Sequence, residues 1–166
     1  AIAISSYNKD MNEVDSRYVN LKFISNDEFI FFTNYNSSKA TAFNSHNQIA
    51  ALLYWSSIDF QIRMKAQIKK TSEEFNQKYF YERSEKKNAL AISSDQSKQI
   101  NSYSQVKENF DRSLKKDDLK KCPKYWGGYS FIPYYFEFWE GHESRINKRE
   151  AFIKISGVWN KSFLQP

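Results

Sequence analysis

Cysteine and histidine are scarce in this chain of 166 residues, and each shortage excludes a class of protein. Cys122 is the only cysteine, so an internal disulfide is impossible and the thiol ligands of a structural zinc site are missing. The two histidines, His46 and His142, leave little imidazole for catalysis. No apolar run approaches the roughly 20 residues that cross a bilayer, and the first residues do not form a signal peptide. We therefore expect a protein of the reducing cytoplasm with no membrane partner.

Charge, in contrast, is plentiful and uneven. The chain has 25 Lys and Arg against 19 Asp and Glu, a formal net charge of +6. Such an excess favours an anionic partner, either nucleic acid or a small phosphorylated ligand. The cations alternate with acids, as in residues 69–74 and 115–118, which is typical of solvated helix ends and faces. A single-strand nucleic-acid binder with stacking aromatics is therefore the weaker alternative, and we expect no nucleic-acid partner.

Period-2 alternation of apolar and polar residues predicts strands in the first half of the chain. The clearest case is residues 60–69, where every second side chain is apolar and its neighbours are polar or charged. The turn-forming residues at 25–27 predict a hairpin between two aromatic and β-branched runs. The predicted strands cover residues 1–6, 17–24, 28–35, 49–55 and 60–69. Because the first of them begins abruptly, we expect the natural chain to extend upstream of this sequence.

Two helices are predicted in the middle of the chain from capping boxes, in which a hydroxyl residue is followed three positions later by Glu or Gln. The two pairs are Thr71 with Glu74 and Ser102 with Gln105. The first helix would place Phe75, Tyr79 and Arg83 along one face. The second would carry the apolar stripe Tyr103, Val106, Phe110 and Leu114. Residues 88–100 are ambiguous between a short helix and a polar loop, and Pro123 ends the helical region.

The last third of the chain returns to strand-forming residues. Residues 125–139 are dense in aromatics, with Gly127 and Gly128 allowing a tight bend or bulge. Residues 150–155 and 158–159 predict a closing hairpin around Ser156 and Gly157. Strands, then helices, then strands indicate a mainly β fold, an antiparallel barrel or sandwich with appended helices.

Several stretches, taken together, resemble the pyridoxine/pyridoxamine 5′-phosphate oxidase family. They occur in the family's order over nearly the whole chain: residues 17–22, FFTNY at 31–35, QIR at 61–63, 79–83, DQS at 95–97, YWGGY at 125–129, and 137–149. The resemblance implies a split antiparallel β-barrel of the FMN-binding type as a single domain over residues 1–166. It also implies a homodimer with FMN at the interface, and from the resemblance we expect that the family's N-terminal segment is not included in this sequence.

The resemblance assigns two ligand sites. The positions implied for the FMN cofactor are Arg17, Phe32, Thr33, Ser38, Lys39, Gln61, Gln96, Ser97, Trp139 and Arg149. The positions implied for the phosphorylated vitamin B6 substrate are Lys22, Tyr79, Arg83, Lys87, Arg145 and Asn147. An arginine on the inner face of a helix is costly without an anion, so the residues themselves also favour phosphate at Arg83. The alternative is a salt bridge from Arg83 to a nearby acid.

Three of these positions depart from the family's pattern. Ser38 replaces a cation that would face the FMN phosphate, and Lys87 replaces a small hydroxyl residue. Asn147 replaces the substrate-facing histidine; asparagine can form hydrogen bonds but cannot titrate. Arg145 is retained, so Arg145 and Asn147 are the candidate catalytic residues, with Arg145 stabilising negative charge on the substrate ring.

The resemblance therefore implies a flavin oxidoreductase of vitamin B6 biosynthesis. It would oxidise pyridoxamine or pyridoxine 5′-phosphate to pyridoxal 5′-phosphate, with dioxygen as electron acceptor and hydrogen peroxide released. The alternative, motivated by Asn147 and Ser38, is a non-catalytic split-barrel protein that binds FMN or pyridoxal phosphate. No metal site is expected.

Overall fold

Nine strands dominate the computed structural model, which describes residues 1–166. They are β1 (Ile2–Asn8), β2 (Glu13–Val19), β3 (Leu21–Ser25), β4 (Glu28–Asn34), β5 (Gln48–Trp55), β6 (Phe60–Lys70), β7 (Trp126–Glu140), β8 (Lys148–Ile155) and β9 (Val158–Phe163). Four helices accompany them: α1 (Ser38–Ser45), α2 (Glu73–Glu82), α3 (Glu85–Ser93) and α4 (Tyr103–Lys116). The predicted mainly β class with appended helices is confirmed. No helix combines the length and apolar character needed to span a membrane.

The chain divides into two compact units. Unit 1 comprises Ala1–Phe31, Ala42–Lys69 and Ser130–Pro166, and unit 2 comprises Phe32–Thr41 and Lys70–Tyr129. Most of the sheet belongs to unit 1, whereas α2, α3 and α4 belong to unit 2. The single domain predicted over residues 1–166 stays a prediction.

The sheet of unit 1 curls on itself. Its strands follow the order β2-β1-β5-β6-β7-β4-β3, with β8 pairing with β7 and β9 pairing with β8. The two ends of this path, β2 and β3, are consecutive in the chain and separated only by Asn20. Because one residue spans only about 3.8 Å between neighbouring Cα atoms, the two edges must approach each other. A barrel with a split between β2 and β3 follows.

The core of unit 1 follows the predicted alternation. Met64, Ala66 and Ile68 of β6 are buried, whereas the side chains between them are exposed. Aromatic rings fill the space between strands, with Phe29 stacked on Phe131 at 5.2 Å between ring centroids. The hairpin turns also match, since their central residues adopt the positive φ angles of tight two-residue turns: Asn26, Asp27, Ser156 and Gly157.

Three local predictions need correction. Residues 17–24 form parts of two strands, β2 and β3, rather than one, because the chain crosses from one edge of the sheet to the other at Asn20. The cap of α2 is Ser72 rather than Thr71: the Ser72 hydroxyl accepts a hydrogen bond from Phe75 N. Thr71 instead donates its hydroxyl to Asn76 Oδ1 at 2.6 Å. Helix α1 was not predicted, whereas Ser102 caps α4 as expected.

Candidate functional site

A cleft of about 210 Å³ in unit 2 brings together five of the predicted ligand residues. Phe32, Thr33 and Gln96 were predicted for FMN, and Arg83 and Lys87 for the substrate phosphate. Phe32 and Trp126 add aromatic rings to its lining, and the other lining residues are Asn34, Leu90, Ala91 and Ser94. Cations and polar groups against an aromatic wall are the composition that binds a small aromatic anion.

One part of unit 2 is a cluster of hydroxyl, amide and ammonium groups. Thr33 donates its hydroxyl to Gln96 Oε1 at 2.9 Å, and Asn34 N donates to the same oxygen at 3.2 Å. The buried Lys39 donates to the hydroxyls of Thr33 and Ser37 at 3.2 and 3.3 Å. These contacts tie the end of β4 and the start of α1 to the loop that follows α3. Ammonium and hydroxyl groups are the donors that hold a phosphate.

Two more predicted FMN residues meet where the start of α1 contacts the loop that follows α3. Ser38 and Ser97 lie with their hydroxyl oxygens 3.4 Å apart. Both side chains are exposed, and Ser97 adopts a positive φ of 73°, which is unusual for a residue with a side chain. Ser38 therefore adds a hydroxyl, but no charge, to the cluster around Lys39.

Arg83 lies at the C-cap of α2, where its guanidinium has no acidic partner. None of the six ion pairs of the structure includes it. Its Nη1 is buried without a hydrogen bond, and its Nη2 makes one long contact of 3.5 Å to the carbonyl of Lys87. Burial lowers the pKa of Arg83 below its ordinary value, which reflects the cost of a charged group removed from water. The predicted salt-bridge alternative is therefore wrong.

An aromatic stack stands beside Arg83. Phe32 packs against both Tyr79 and Trp126, with ring centroids 4.0 and 5.1 Å away, and those two rings lie 6.4 Å apart. Burial raises the pKa of the Tyr79 hydroxyl, and the charge of Arg83 opposes this rise. Burial also raises the pKa of the Cys122 thiol to about 11, so this cysteine is a neutral neighbour of Arg83. The stack fixes the wall of the cleft.

Two glycines allow this wall to form. A Cβ at Gly127 would lie 2.1 Å from the hydroxyl of Tyr35, and one at Gly128 would lie 2.5 Å from Thr71 Oγ1. Asn76 uses the space by accepting from Gly128 N at 2.8 Å and donating to the Tyr35 hydroxyl at 3.0 Å. The glycines predicted as a bend therefore permit a close approach of α2 to β7, which positions Trp126.

The remaining predicted residues lie in unit 1, where a buried carboxylate organises several of them. Glu137 is only 2% exposed and accepts hydrogen bonds from Arg149 at 2.9 Å, Arg63 at 3.0 Å and Tyr135 at 3.0 Å. Burial favours its neutral form, but these hydrogen bonds and the arginine charges outweigh it, so the pKa of Glu137 lies below its ordinary value. Arg149 is thus held against a buried carboxylate while it stays partly exposed.

Trp139 lies on the same strand as Glu137, β7, and Gln61 lies on the neighbouring strand, β6. Trp139 is the cross-strand neighbour of Arg149 in the β7–β8 pair, so the two residues predicted beside the flavin ring are adjacent. Gln61 pairs with Tyr54 in the β5–β6 ladder and is half-buried. The network of Glu137, Arg63 and Tyr135 was not predicted, because only the folded sheet brings these positions together.

The two candidate catalytic residues lie in the loop between β7 and β8. Asn147 Oδ1 accepts a hydrogen bond from His142 N at 3.1 Å, and Arg145 N donates to the His142 carbonyl at 2.8 Å. Arg145 is exposed and has a positive φ of 60°. The loop is anchored at Gly141, whose N–H donates to the Asp59 carbonyl at 2.9 Å. The oxygen of Asn147 therefore closes the loop, and its NH₂ group remains available.

Arg17 and Lys22 lie on separate strands at opposite ends of the sheet path. Arg17 of β2 is paired with Asp15 and donates to the Ser6 hydroxyl at 2.7 Å. Lys22 of β3 is exposed and lies at a register shift between Leu21 and Phe23. The two cations therefore lie on different strands, and the pairing beside Lys22 is irregular.

Comparison with known proteins gives the family. Residues 126–166 match the family described as the pyridoxine 5′-phosphate oxidase C-terminal dimerisation region. A pyridoxine/pyridoxamine 5′-phosphate oxidase of Hydrogenovibrio crunogenus is 32% identical over 170 residues, which cover 100% of this chain and 78% of that protein. One from Legionella pneumophila is 34% identical over 154 residues, covering 92% of this chain and 72% of that protein.

Solved structures agree. PhzG from Burkholderia lata 383, in complex with tetrahydrophenazine-1-carboxylic acid, has a TM-score of 0.93 at 25% identity over 100% of this chain and 82% of that one. A pyridoxamine 5′-phosphate oxidase-related, FMN-binding protein from Nostoc punctiforme has a TM-score of 0.81 at 12% identity, over 99% and 86% of the two chains, and so shares the fold. The chain belongs to the pyridoxine/pyridoxamine 5′-phosphate oxidase family and has its FMN-binding split-barrel fold.

Proposed function

We propose that this protein is an FMN-dependent oxidase that converts pyridoxamine or pyridoxine 5′-phosphate to pyridoxal 5′-phosphate. The observation that carries the proposal is Arg83, whose buried Nη1 makes no hydrogen bond although its guanidinium lines a cleft. Leaving a buried charged donor unsatisfied is costly, and a dianionic phosphate would satisfy it. The relatives of this chain are named as oxidases of phosphorylated vitamin B6, which supports a substrate phosphate as the anion that Arg83 binds.

Arg83 would share the substrate phosphate with three other predicted residues. Lys87 lines the same cleft, and Tyr79 lies one helical turn before Arg83 and is shielded by the aromatic stack. Lys22 is an exposed residue of unit 1, and only the family resemblance assigns it to the phosphate. A guanidinium can bind two phosphate oxygens at once, whereas each lysine acts as a point charge.

The donors of unit 2 fit the phosphate end of FMN. Lys39, Thr33 and Gln96 are linked by hydrogen bonds, and Ser38 and Ser97, their neighbours in the sequence, form a separate hydroxyl pair; together they supply charge and short polar groups for phosphate oxygens. Phe32, also predicted for FMN, lies next to Thr33 and lines the same cleft. In unit 1, the residues proposed for FMN are Arg17, Gln61, Trp139 and Arg149. Bound FMN would supply the hydride acceptor, and dioxygen would regenerate it.

The chain's own contribution to the reaction would be to bind and orient the substrate. Arg145 would donate to the ring oxygen of the substrate and stabilise its negative charge. The NH₂ group of Asn147 would donate a second hydrogen bond, while its oxygen keeps the loop closed. With the amine, one dioxygen and one water give the aldehyde, ammonia and hydrogen peroxide; with the alcohol, one dioxygen gives the aldehyde and hydrogen peroxide.

We propose that two copies form the working unit in the cytoplasm. Residues 126–166 match a dimerisation region, and this part of the chain exposes apolar side chains on β9, among them Val158 and Phe163 at 64% and 71% exposure. An apolar groove of about 460 Å³ in unit 1 is lined in part by Phe136, Phe152 and Trp159. Covering such side chains with a second copy would remove apolar area from water.

Two other functions have specific observations in their favour. Asn147 in place of a titratable residue favours a non-catalytic protein that binds FMN or pyridoxal phosphate. The likeness to PhzG favours an oxidase whose substrate is a polycyclic carboxylate, because a carboxylate would also satisfy Arg83. Only the proposed oxidase requires a phosphate on its substrate, so the dependence of turnover on that phosphate distinguishes it from both alternatives.

The test is peroxide release by the purified, FMN-loaded protein. Pyridoxamine 5′-phosphate and pyridoxine 5′-phosphate are supplied separately, and pyridoxamine without phosphate is the matched control. We expect peroxide in proportion to pyridoxal 5′-phosphate formed. A yellow protein that retains FMN but releases no peroxide from either phosphorylated compound would rule out the proposed oxidase and leave the two alternatives.

A further inference from the structure

The guanidinium of Arg83 is held by an aromatic ring rather than by a carboxylate. Its Cζ lies 4.4 Å from the centroid of the Trp126 ring, and 5.7 Å from that of Phe80. Arg83 takes part in no ion pair, and its Nη1 is buried without a hydrogen bond. The contact with the Trp126 ring is therefore the main interaction that holds the guanidinium in place.

Trp126 is itself firmly fixed. It is 6% exposed, stacks nearly parallel on Phe32 with 5.1 Å between centroids, and meets Phe80 edge-on at 5.1 Å. Its backbone N–H donates to the carbonyl of Pro123 at 3.0 Å. A ring with packed neighbours on two sides offers a rigid face to a cation.

The kind of partner decides what Arg83 can still do. A carboxylate would take up N–H groups of the guanidinium and offset its charge, as Glu137, which is shared with Arg63, does in part for Arg149 in unit 1. An aromatic face attracts the cation through its ring quadrupole and leaves the N–H groups at the edge of the guanidinium available. We propose that Trp126 is a positioning residue that orients Arg83 for an anion while leaving its donors to the ligand's phosphate.

This inference rests on the proposed function for the identity of the ligand, but its test does not require turnover. The FMN-loaded full chain is titrated calorimetrically with inorganic phosphate, in the wild type and in Trp126→Leu and Trp126→Phe. Trp55→Leu is the matched control, because Trp55 is an exposed tryptophan of unit 1. Melting temperatures show that each variant is folded, and Trp126→Phe keeps a ring in place if Trp126→Leu does not fold.

We expect the dissociation constant for phosphate to rise about tenfold in Trp126→Leu and about threefold in Trp126→Phe, since phenylalanine is the weaker cation–π partner. Trp55→Leu should match the wild type. In turnover, KM for pyridoxamine 5′-phosphate should rise in the same order with kcat unchanged, and KM for pyridoxamine should not move. A general loss of structure would raise both KM values.

The outcomes separate the two proposals. Unchanged phosphate affinity in folded Trp126 variants, or no phosphate binding by the wild type, would overturn the role of Trp126. An active wild type whose Trp126 variants keep their KM would overturn that role and leave the oxidase standing. Phosphate affinity that depends on Trp126, in a protein that releases no peroxide, would support the role of Trp126 and sink the oxidase.

Discussion

Arg83 in unit 2 and Arg149 in unit 1 are both partly buried arginines predicted to face a ligand, but their surroundings differ. Arg149 bonds to the buried carboxylate of Glu137 and to the carbonyl of Gln165. Arg83 lies over the Trp126 ring and leaves a buried nitrogen without a partner. One arginine shares a buried carboxylate with Arg63, and the other has no acidic partner.

This difference separates a structural charge from a binding charge. A guanidinium that donates to a carboxylate can still contact a ligand through its planar face. It offers that ligand fewer free N–H groups and less net charge. A guanidinium against a ring keeps its charge and its donors, at a cost in folding stability that a bound anion recovers. We therefore expect ligand binding to depend most on Arg83 and folding to depend most on Glu137.

The largest expected effect is on Arg83→Met. We expect KM for pyridoxamine 5′-phosphate to rise about 100-fold, as expected if charge-assisted hydrogen bonds worth about 2.7 kcal/mol are lost. The melting temperature should stay the same or rise, because the variant removes a buried donor that makes no hydrogen bond. Steady-state kinetics and thermal unfolding measure the two quantities.

Lys78→Met is the control for this variant, because Lys78 is an exposed cation on the same helix. It should leave both KM and the melting temperature unchanged. A strongly destabilised Arg83→Met protein would mean that Arg83 is a structural charge after all, and the contrast with Arg149 would disappear.

The next effect is on folding. Glu137→Gln leaves Arg63 and Arg149 without their carboxylate, and we expect it to lower the free energy of unfolding by about 2 kcal/mol at neutral pH. Because the pKa of folded Glu137 lies below its ordinary value of 4.5, the carboxylate's contribution is complete above pH 4.5 and is lost as the pH falls through the folded pKa. Thermal unfolding from pH 7 to pH 3 measures it.

The wild-type and Glu137→Gln melting temperatures should therefore converge in acid. Glu140→Gln, at an exposed position on the same strand, should follow the wild type throughout. A constant gap between the wild type and Glu137→Gln at every pH would show that ionisation of Glu137 does not contribute to stability.

A smaller effect is expected at Lys39. In Lys39→Met, the affinity for FMN should fall about tenfold, while the affinity for riboflavin, which lacks the phosphate, should stay unchanged. Flavin fluorescence quenching measures both constants, and Lys124→Met is the control at an exposed lysine of unit 2. Equal losses for FMN and riboflavin would place Lys39 away from the phosphate.

The smallest effect is expected in the loop between β7 and β8. Asn147→His should raise kcat about fivefold, the value of about one added hydrogen bond. Asn147→Ala removes the acceptor for His142 N without adding an imidazole, so it should lower kcat instead. If Asn147→His turns over no faster than the wild type, position 147 does not limit the reaction.

Local signals in the sequence predicted the elements whose causes are local. The turns at Asn26 and at Ser156 and Gly157 were predicted because tight hairpins need residues that tolerate positive φ. Helix α1 escaped prediction because its sequence SKATAFNS has neither a capping box nor a strong apolar stripe. The cap of α2 was misplaced by one residue because Thr71 and Ser72 are both good caps.

The residues of the candidate site likewise divide into those indicated by a local pattern and those that only the fold brings together. That Arg83 would need an anion followed from its place on the inner face of a helix, which is a local pattern. The ring that holds it could not be predicted, because Trp126 lies 43 residues further along the chain. The network around Glu137 likewise joins three strands, and only the sheet's register brings Arg63 and Arg149 to one carboxylate.

The most direct test of the central claim compares kcat/KM for pyridoxamine 5′-phosphate and for pyridoxamine, in the FMN-loaded wild type and in Arg83→Met. If Arg83 selects the phosphate, the ratio should be about 100 or more in the wild type, and Arg83→Met should reduce it most of the way to one. A wild-type ratio near one, or a ratio that Arg83→Met leaves unchanged, would contradict the account.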